Sequence, residues 1–255
     1  MADLDVERVP ARNTLAYVAL GLALLAALML FLTGPGARFG LWDFRFSFRL
    51  MGWAAYVGIA AVLAAIAALI AGRRRGLVLS VVALVIGAIV FLLPWNWRRG
   101  AGEFPPIHDI TTDFRNPPAF VAIAPLRKDA PNPVEYLGDS ISRIQYKAYP
   151  DIQPLMLAMP VDSAFVNALV TAREMGWELV DQSRREGRIE ATATTAWFGF
   201  KDDVVIRVTS GSGISRVDVR SKSRVGRGDV GENAKRVREY LSRLRATDPQ
   251  PVNAK

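Results

Sequence analysis

An α+β domain carried behind three membrane-spanning helices is the fold class this sequence predicts, and three observations predict it. Three apolar runs of membrane length fill the first hundred residues. Four segments of alternating polarity follow one another between 177 and 223, and a helical pattern brackets them at 162–175 and 230–245. The expected organisation is a three-span anchor at 1–100, a proline-rich ordered wrap at 101–160, a helix, four strands and a helix at 161–247, and a flexible tail at 248–255. The four strands are read as one antiparallel sheet packed by the helices.

The apolar runs lie at 14–32, 51–71 and 76–93, the first without a charge for 19 residues. A helix needs roughly 17 to 25 mostly apolar residues to cross the hydrocarbon, so each run is long enough. The first is also longer than the roughly 7 to 15 residues of a signal-peptide core, which favours a retained span. Tyr17, Trp42, Trp53, Tyr56, Trp95 and Trp97 fall near the boundaries, where amphipathic rings sit among headgroups. Pro94 is read as closing the third helix.

Arg73, Arg74 and Arg75 crowd the turn between the second and third runs. Positive loops stay inside, so that turn and the amino terminus, with Arg8 and Arg12, are placed in the cytoplasm. Arg38, Arg45, Arg49, Arg98 and Arg99 oppose the assignment, and only the density of charge in the short turn decides it. The expected location is a bacterial inner membrane, with the carboxy-terminal domain periplasmic.

The net charge of +8 belongs mostly to the anchor: residues 1–100 carry ten basic and four acidic groups, leaving 22 and 20 for the rest. A nearly balanced soluble part gives no electrostatic case for nucleic acid as a partner, whereas membrane-flanking arginine suits anionic lipid. The chain has no cysteine, which removes disulfides, thiolate catalysis and cysteine-ligated metal. No motif calls for a cofactor, and no metal site is expected.

Ten prolines between 105 and 160 argue against a long helix there. Apolar anchors such as Ile107, Ile110, Phe120, Ile123, Tyr149, Ile152 and Leu155 make the segment an ordered wrap. Beyond Pro160, Asp162 is placed to cap a helix that Gly176 ends. Strands are expected at 177–182, 188–197, 203–209 and 214–223, with a hairpin turn at Glu186 and Gly187. In the second of them Ile189, Ala191, Ala193, Thr195 and Trp197 share a face. In the final helix Val230, Ala234, Val237, Leu241 and Leu244 recur at steps of four and three and line one side.

The charged writing is densest at 218–236, DVRSKSRVGRGDVGENAKR. Strand alternation puts Arg216, Asp218, Arg220, Lys222 and Arg224 on one face, opposite Val217 and Val219. Gly226, Gly228 and Gly231 permit tight turns, and Asp229 is placed to cap the last helix. Asp218, Arg220, Arg224, Arg227, Asp229 and Arg236 are therefore the candidate residues for binding an acidic ligand or partner, the alternative being a salt-bridged turn. The spacing is not that of a P-loop.

Candidate catalytic groups are His108, the sole histidine, with Asp202 and Asp203. His108 lies beside Asp109 and Asp113, where hydrogen-bonded turn formation competes with chemistry. Ser140 lacks the GxSxG elbow, and no histidine follows it.

HDITTDFRNPPAF at 108–120, YPDIQPL at 149–155 and FGFKDDVVIRV followed by the charged stretch resemble the DUF1499 family, a domain of unknown function in bacteria and plastid-containing organisms. The resemblance runs from about 105 to 244. It implies an envelope-facing domain, with some members bearing several amino-terminal spans, and it supplies no catalytic residue.

The function these features suggest is a membrane-anchored periplasmic binding or assembly domain, an accessory subunit that engages an acidic ligand or partner. The alternative is a cell-envelope enzyme acting on a lipid, glycan or phosphorylated substrate. The expected partners are the lipid bilayer, a membrane protein or second copy of the chain, and an acidic small ligand. The spans hold no internal Asp, Glu, Lys, Arg or His, which argues against an ion pathway.

Overall fold

The computed structural model describes residues 11–71, 76–211 and 213–249. The chain divides into a helical unit, up to Gly102 together with Ala196–Gly199, and an α+β unit formed by the rest. Arg8 and the Arg73, Arg74 and Arg75 cluster lie outside the described residues.

The helical unit contains α1 (Ala11–Arg38), α2 (Phe44–Ala71) and α3 (Leu77–Ala101), all long and apolar enough to span a bilayer. Small residues face inward. Ala19, Ala23, Ala61, Ala65 and Ala83 are fully buried, and a Cβ added to Gly87 would stand 2.8 Å from the Gly58 carbonyl oxygen. In lipid, helices gain by such close backbone approach while Leu, Ile and Val face the acyl chains. Leu24, Leu28, Leu63, Ile70 and Val78 are accordingly exposed.

Pro94 does not close the third helix, which runs on to Ala101 with Pro94 inside it. A proline removes one ladder bond, and a membrane helix tolerates that loss. Trp95, Trp97 and Arg98 thus stay helical.

The α+β unit corrects the expected four-stranded sheet, because the sheet has six strands. The four central segments are present as β3 (Glu178–Ser183), β4 (Arg188–Thr194), β5 (Lys201–Ser210) and β6 (Ser215–Ser223). The additional strands, β1 (Asp109–Thr111) and β2 (Leu155–Leu157), come from the proline-rich wrap. Both pair antiparallel with β6, β1 along Arg220 to Lys222 and β2 along Ser215 to Val217, so they lie end to end on one edge. The path is β1-β6-β5-β4-β3, with β2 beside β6. Three-residue strands are too short to carry a readable period, and the prolines around them masked both.

The wrap also contains α4 (Asp139–Ala148), a ten-residue helix that its proline density had concealed. Strand β4 ends at Thr194, which leaves Trp197 in the turn instead of on the strand face. Helices α5 (Val161–Glu174) and α6 (Glu232–Arg245) cover one sheet face. Their core includes Phe165, Ala168, Ala172, Val237, Tyr240 and Leu244 against Ile189, Ile206, Val217 and Val219. Trp177 stacks on Tyr240 at 5.2 Å, and the Tyr240 hydroxyl donates to the Ala168 carbonyl at 2.9 Å.

Helix α5 begins after Pro160 without a side-chain cap, so Asp162 sits in its first turn but does not close it. Gly176, at φ 72°, ends it as expected. Of the expected flexible tail, Asp248 is held: its Oδ2 accepts from the Ala158 amide at 3.0 Å. Residues 250–255 lie outside the described residues.

Candidate functional site

Residues directly opposite one another in an antiparallel sheet share a face. On the face away from α5 and α6, this rule aligns three rows across β1, β6, β5 and β4. The first is Asp109, Lys222, Asp203 and Thr192; the second is Thr111, Arg220, Val205 and Glu190. The third is Asp218, Arg207 and Arg188. The charged row therefore does lie opposite the valines, but the wrap covers it. Lys222, Asp203 and Glu190 are fully buried, and Asp218 and Arg220 nearly so.

Each charge meets an opposite one. Arg220 forks onto Asp109 at 2.9 and 2.8 Å, and Lys222 Nζ reaches the same carboxylate at 3.0 Å. Asp203 accepts from Arg127 at 3.0 Å and from both Nε and Nη2 of Arg224 at 2.8 Å, while Thr192 Oγ1 donates to it at 2.8 Å. At the far end Asp218 and Asp113 share Arg207 and Arg216. Buried charges persist only when paired and hydrogen-bonded in this manner.

The same groups bind the wrap to the sheet. Arg220 donates to the carbonyls of Pro118 and Val134, and Lys222 to that of Glu135 at 2.6 Å. Glu190 accepts the amides of Val121, Ala122 and Ile123 at 2.9, 3.1 and 2.8 Å and also meets Arg188. Arg127 reaches down from the wrap to the carbonyls of Lys222 and Ser223. The Phe120 ring lies against the guanidinium carbons of Arg220 and Arg127 at 5.0 and 5.7 Å.

Burial leaves its mark on proton affinities. Desolvation pulls the Lys222 ammonium below its ordinary value against the upward pull of Asp109, and it lowers the Arg127 guanidinium against Asp203. Desolvation, reinforced by Asp109, pushes the Tyr136 phenol up to about 12. Asp113 behaves in the opposite way. Burial raises its carboxyl, but the Asn116 and Arg115 amides and the Arg216 and Arg207 guanidinium groups outweigh it and hold it low.

A second polar cluster occupies the helix face beside α6. Arg236 pairs with Asp202 at 2.6 Å and contacts Asn233 Oδ1 at 2.5 Å. Asn233 in turn meets Ser221 Oγ at 2.6 Å and Ser223 Oγ at 2.8 Å. Asp229 does not hold the cap position of α6, which is Gly231, but from two residues earlier it accepts from the Gly231 and Asn233 amides at 3.0 and 2.8 Å. Burial nevertheless raises its carboxyl above the ordinary range despite those amides.

The structure thus separates the catalytic candidates. Asp202 and Asp203 point to opposite sheet faces, each engaged by arginine. His108 Nδ1 lies 3.2 Å from the Arg227 carbonyl oxygen. Among the binding candidates Asp218, Arg220, Arg224 and Arg236 are internally paired, and Arg227 is exposed. Arg236 also lines a cavity of about 290 Å³ with Trp177, Thr194, Lys235, Glu239 and Arg243, where the acidic and basic side chains balance. No group of three or more His, Asp or Glu able to hold a metal occurs among the described residues.

Sequence reasoning missed Arg127 and Glu190. Glu190 had a usable signal, since it alternates with Ile189 and Ala191 and so had to face away from the helices. Arg127 had none, because nothing local to the wrap shows that it returns to Asp203.

A family model described as a protein of unknown function, DUF1499, matches residues 109–244, from the first residue of β1 into the last turn of α6. No curated protein matches the chain.

Proposed function

The chain belongs to the DUF1499 family, and from that premise we propose that it is a membrane-anchored binding or assembly subunit that engages an acidic partner. The observation that carries this reading is the internal neutralisation of the charged sheet face. Rows of paired arginine and carboxylate hold a rigid wrap and leave His108, Asp202 and Asp203 apart, whereas a hydrolytic site needs acid and base converging on one cavity. The contact surface under this proposal is the loop between β6 and α6, where exposed Arg227 stands beside His108 and Arg224 is partly accessible. The α+β unit is assigned to the periplasmic side of a bacterial inner membrane. The support for that orientation is the triple arginine of the short turn at 73–75.

The test is purification of the tagged full chain from native membranes in gentle detergent, alongside Arg227→Glu. The proposal expects a stoichiometric protein with the wild type, and at least tenfold less with the variant at an unchanged melting temperature. Retention of that protein by Arg227→Glu removes the loop as the contact, and a wild-type chain that captures no protein overturns the accessory-subunit reading.

A further inference from the structure

The strongest unassigned feature lies in the helical unit, as an open groove of about 440 Å³ between α2 and α3. On α2 its lining falls at Phe48, Met51, Gly52, Ala55, Tyr56 and Ile59, one stripe at steps of three and four. On α3 it falls at Phe91, Pro94 and Trp95, with Arg98 one further step along. The wall is apolar over most of its length and carries one permanent cation at its end.

Three properties of this groove match a single ligand chemistry. The first is length. From Phe48 to Ile59 the α2 stripe covers about 16 Å at roughly 1.5 Å per residue, close to half of a hydrocarbon core about 30 Å thick. It therefore runs the depth of one leaflet. The second is room. A Cβ built on Gly52 meets nothing within 4 Å, so the groove floor is open where a larger residue would fill it.

The third is polarity. Three of the lining aromatic residues, Phe48, Trp95 and Trp97, lie toward the Arg98 end, where Trp97 stacks on Phe48 at 5.9 Å. Such rings mark headgroup depth, and Arg98 is exposed there with no ion pair among the described residues.

We propose that this groove is a binding site for one anionic phospholipid, with an acyl chain along Gly52 and Ala55 and the phosphate headgroup at Arg98. Tyr56, 69 % exposed, and Trp95, 50 % exposed, form its two lips. The site is independent of the partner surface on the β6–α6 loop. An arginine near an anionic membrane surface attracts that lipid by about 1 kcal/mol, which is roughly a fivefold preference.

The full chain is reconstituted in nanodiscs of phosphatidylcholine containing one tenth phosphatidylglycerol, released into mild detergent and weighed by native mass spectrometry. The wild type is expected to retain one phosphatidylglycerol per chain. Arg98→Gln is expected to lower the preference for phosphatidylglycerol over phosphatidylcholine about fivefold, and Gly52→Phe to remove the bound lipid at least tenfold. Arg99→Gln, outside the groove, should leave retention unchanged. No retained lipid, equal retention of both lipids by the wild type, or full retention by Gly52→Phe with an unchanged helical signal overturns the proposal. So does a wild-type dimer that Gly52→Phe converts to monomer, because the groove then seats a second copy of the chain.

Discussion

Replacing Glu190 with glutamine tests whether the ionic layer is what holds the wrap. The change keeps the size of the side chain and removes one charge. In the wild type Oε1 accepts the Val121 and Ala122 amides and Oε2 accepts the Ile123 amide, so all three donors end on one buried carboxylate. A glutamine has one carbonyl oxygen, and its amide group must face at least one of those donors. Leaving a buried donor unsatisfied costs about 1–3 kcal/mol, and breaking a buried charge pair about 3–5 kcal/mol. Arg188 keeps Glu186 and Asp181 as partners, so the lower part of that range applies, about 3 kcal/mol. For a unit of this size that is a fall of about 6–12 °C in melting temperature. If the wrap opens locally, amide exchange over residues 121–123 accelerates about a hundredfold at 1.4 kcal/mol per decade. The assay is hydrogen exchange read by mass spectrometry on the full chain in detergent, with Glu186→Gln as control, since Glu186 meets Arg188 from the exposed side. Exchange at 121–123 within threefold of wild type in Glu190→Gln would refute the assignment of the wrap to the ionic layer.

Two further outcomes follow from single residues. Burial raises the folded-state pKa of Asp229, so the native state holds its proton more tightly than the unfolded chain does. Stability from this group is then gained as pH falls through the folded value and is lost as pH rises through it. Asp229→Asn should flatten that part of a melting-temperature profile taken from pH 4 to 8, and a slope equal to wild type would remove Asp229 as its source. Gly187 sits at φ 62° in the β3–β4 turn, and a Cβ there would lie 2.0 Å from the Val208 carbonyl oxygen. Gly187→Ala should cost about 1–3 kcal/mol for the backbone conformation, with more from the clash, and a melting temperature within 1 °C of wild type would contradict this.

How much was legible divides along physical lines. The spans, α5, α6 and the four long strands announce themselves through periods sustained over many residues, which local sequence records directly. Strands β1 and β2 exist because β6 offers them an edge, and no three-residue stretch can state that about itself. The charged face was readable as a face, since Asp218, Arg220 and Lys222 alternate with valine and serine. Its burial was not, because coverage depends on Arg127 and on the amides of 121–123 returning from sixty or more residues away. That Asp229 serves amides near the start of α6 was readable because those amides lie two and four positions along the chain, although Gly231 holds the cap position itself.

The ionic layer also explains how β5 and β6 find their register. A slip of one residue would turn Lys222 and Asp203 into the apolar core, which the burial of Val204, Ile206, Val217 and Val219 forbids. A slip of two keeps the faces and would cost an apolar sheet little. Here the observed register sets Arg207 opposite Asp218 and Asp203 opposite Lys222. Moving β6 by two residues in one direction sets Arg207 opposite Arg220, and in the other direction opposite Arg216. Like charges directly opposite one another destabilise a strand pair, so both slips are penalised by the same side chain. The slip toward Arg216 also parts Asp203 on β5 from Arg224 just past the end of β6, its partner at 2.8 Å. An apolar layer beneath the wrap would offer area without this discrimination. The charges on this face therefore carry register as well as adhesion, which accounts for a covered sheet face written in arginine and aspartate instead of valine and leucine.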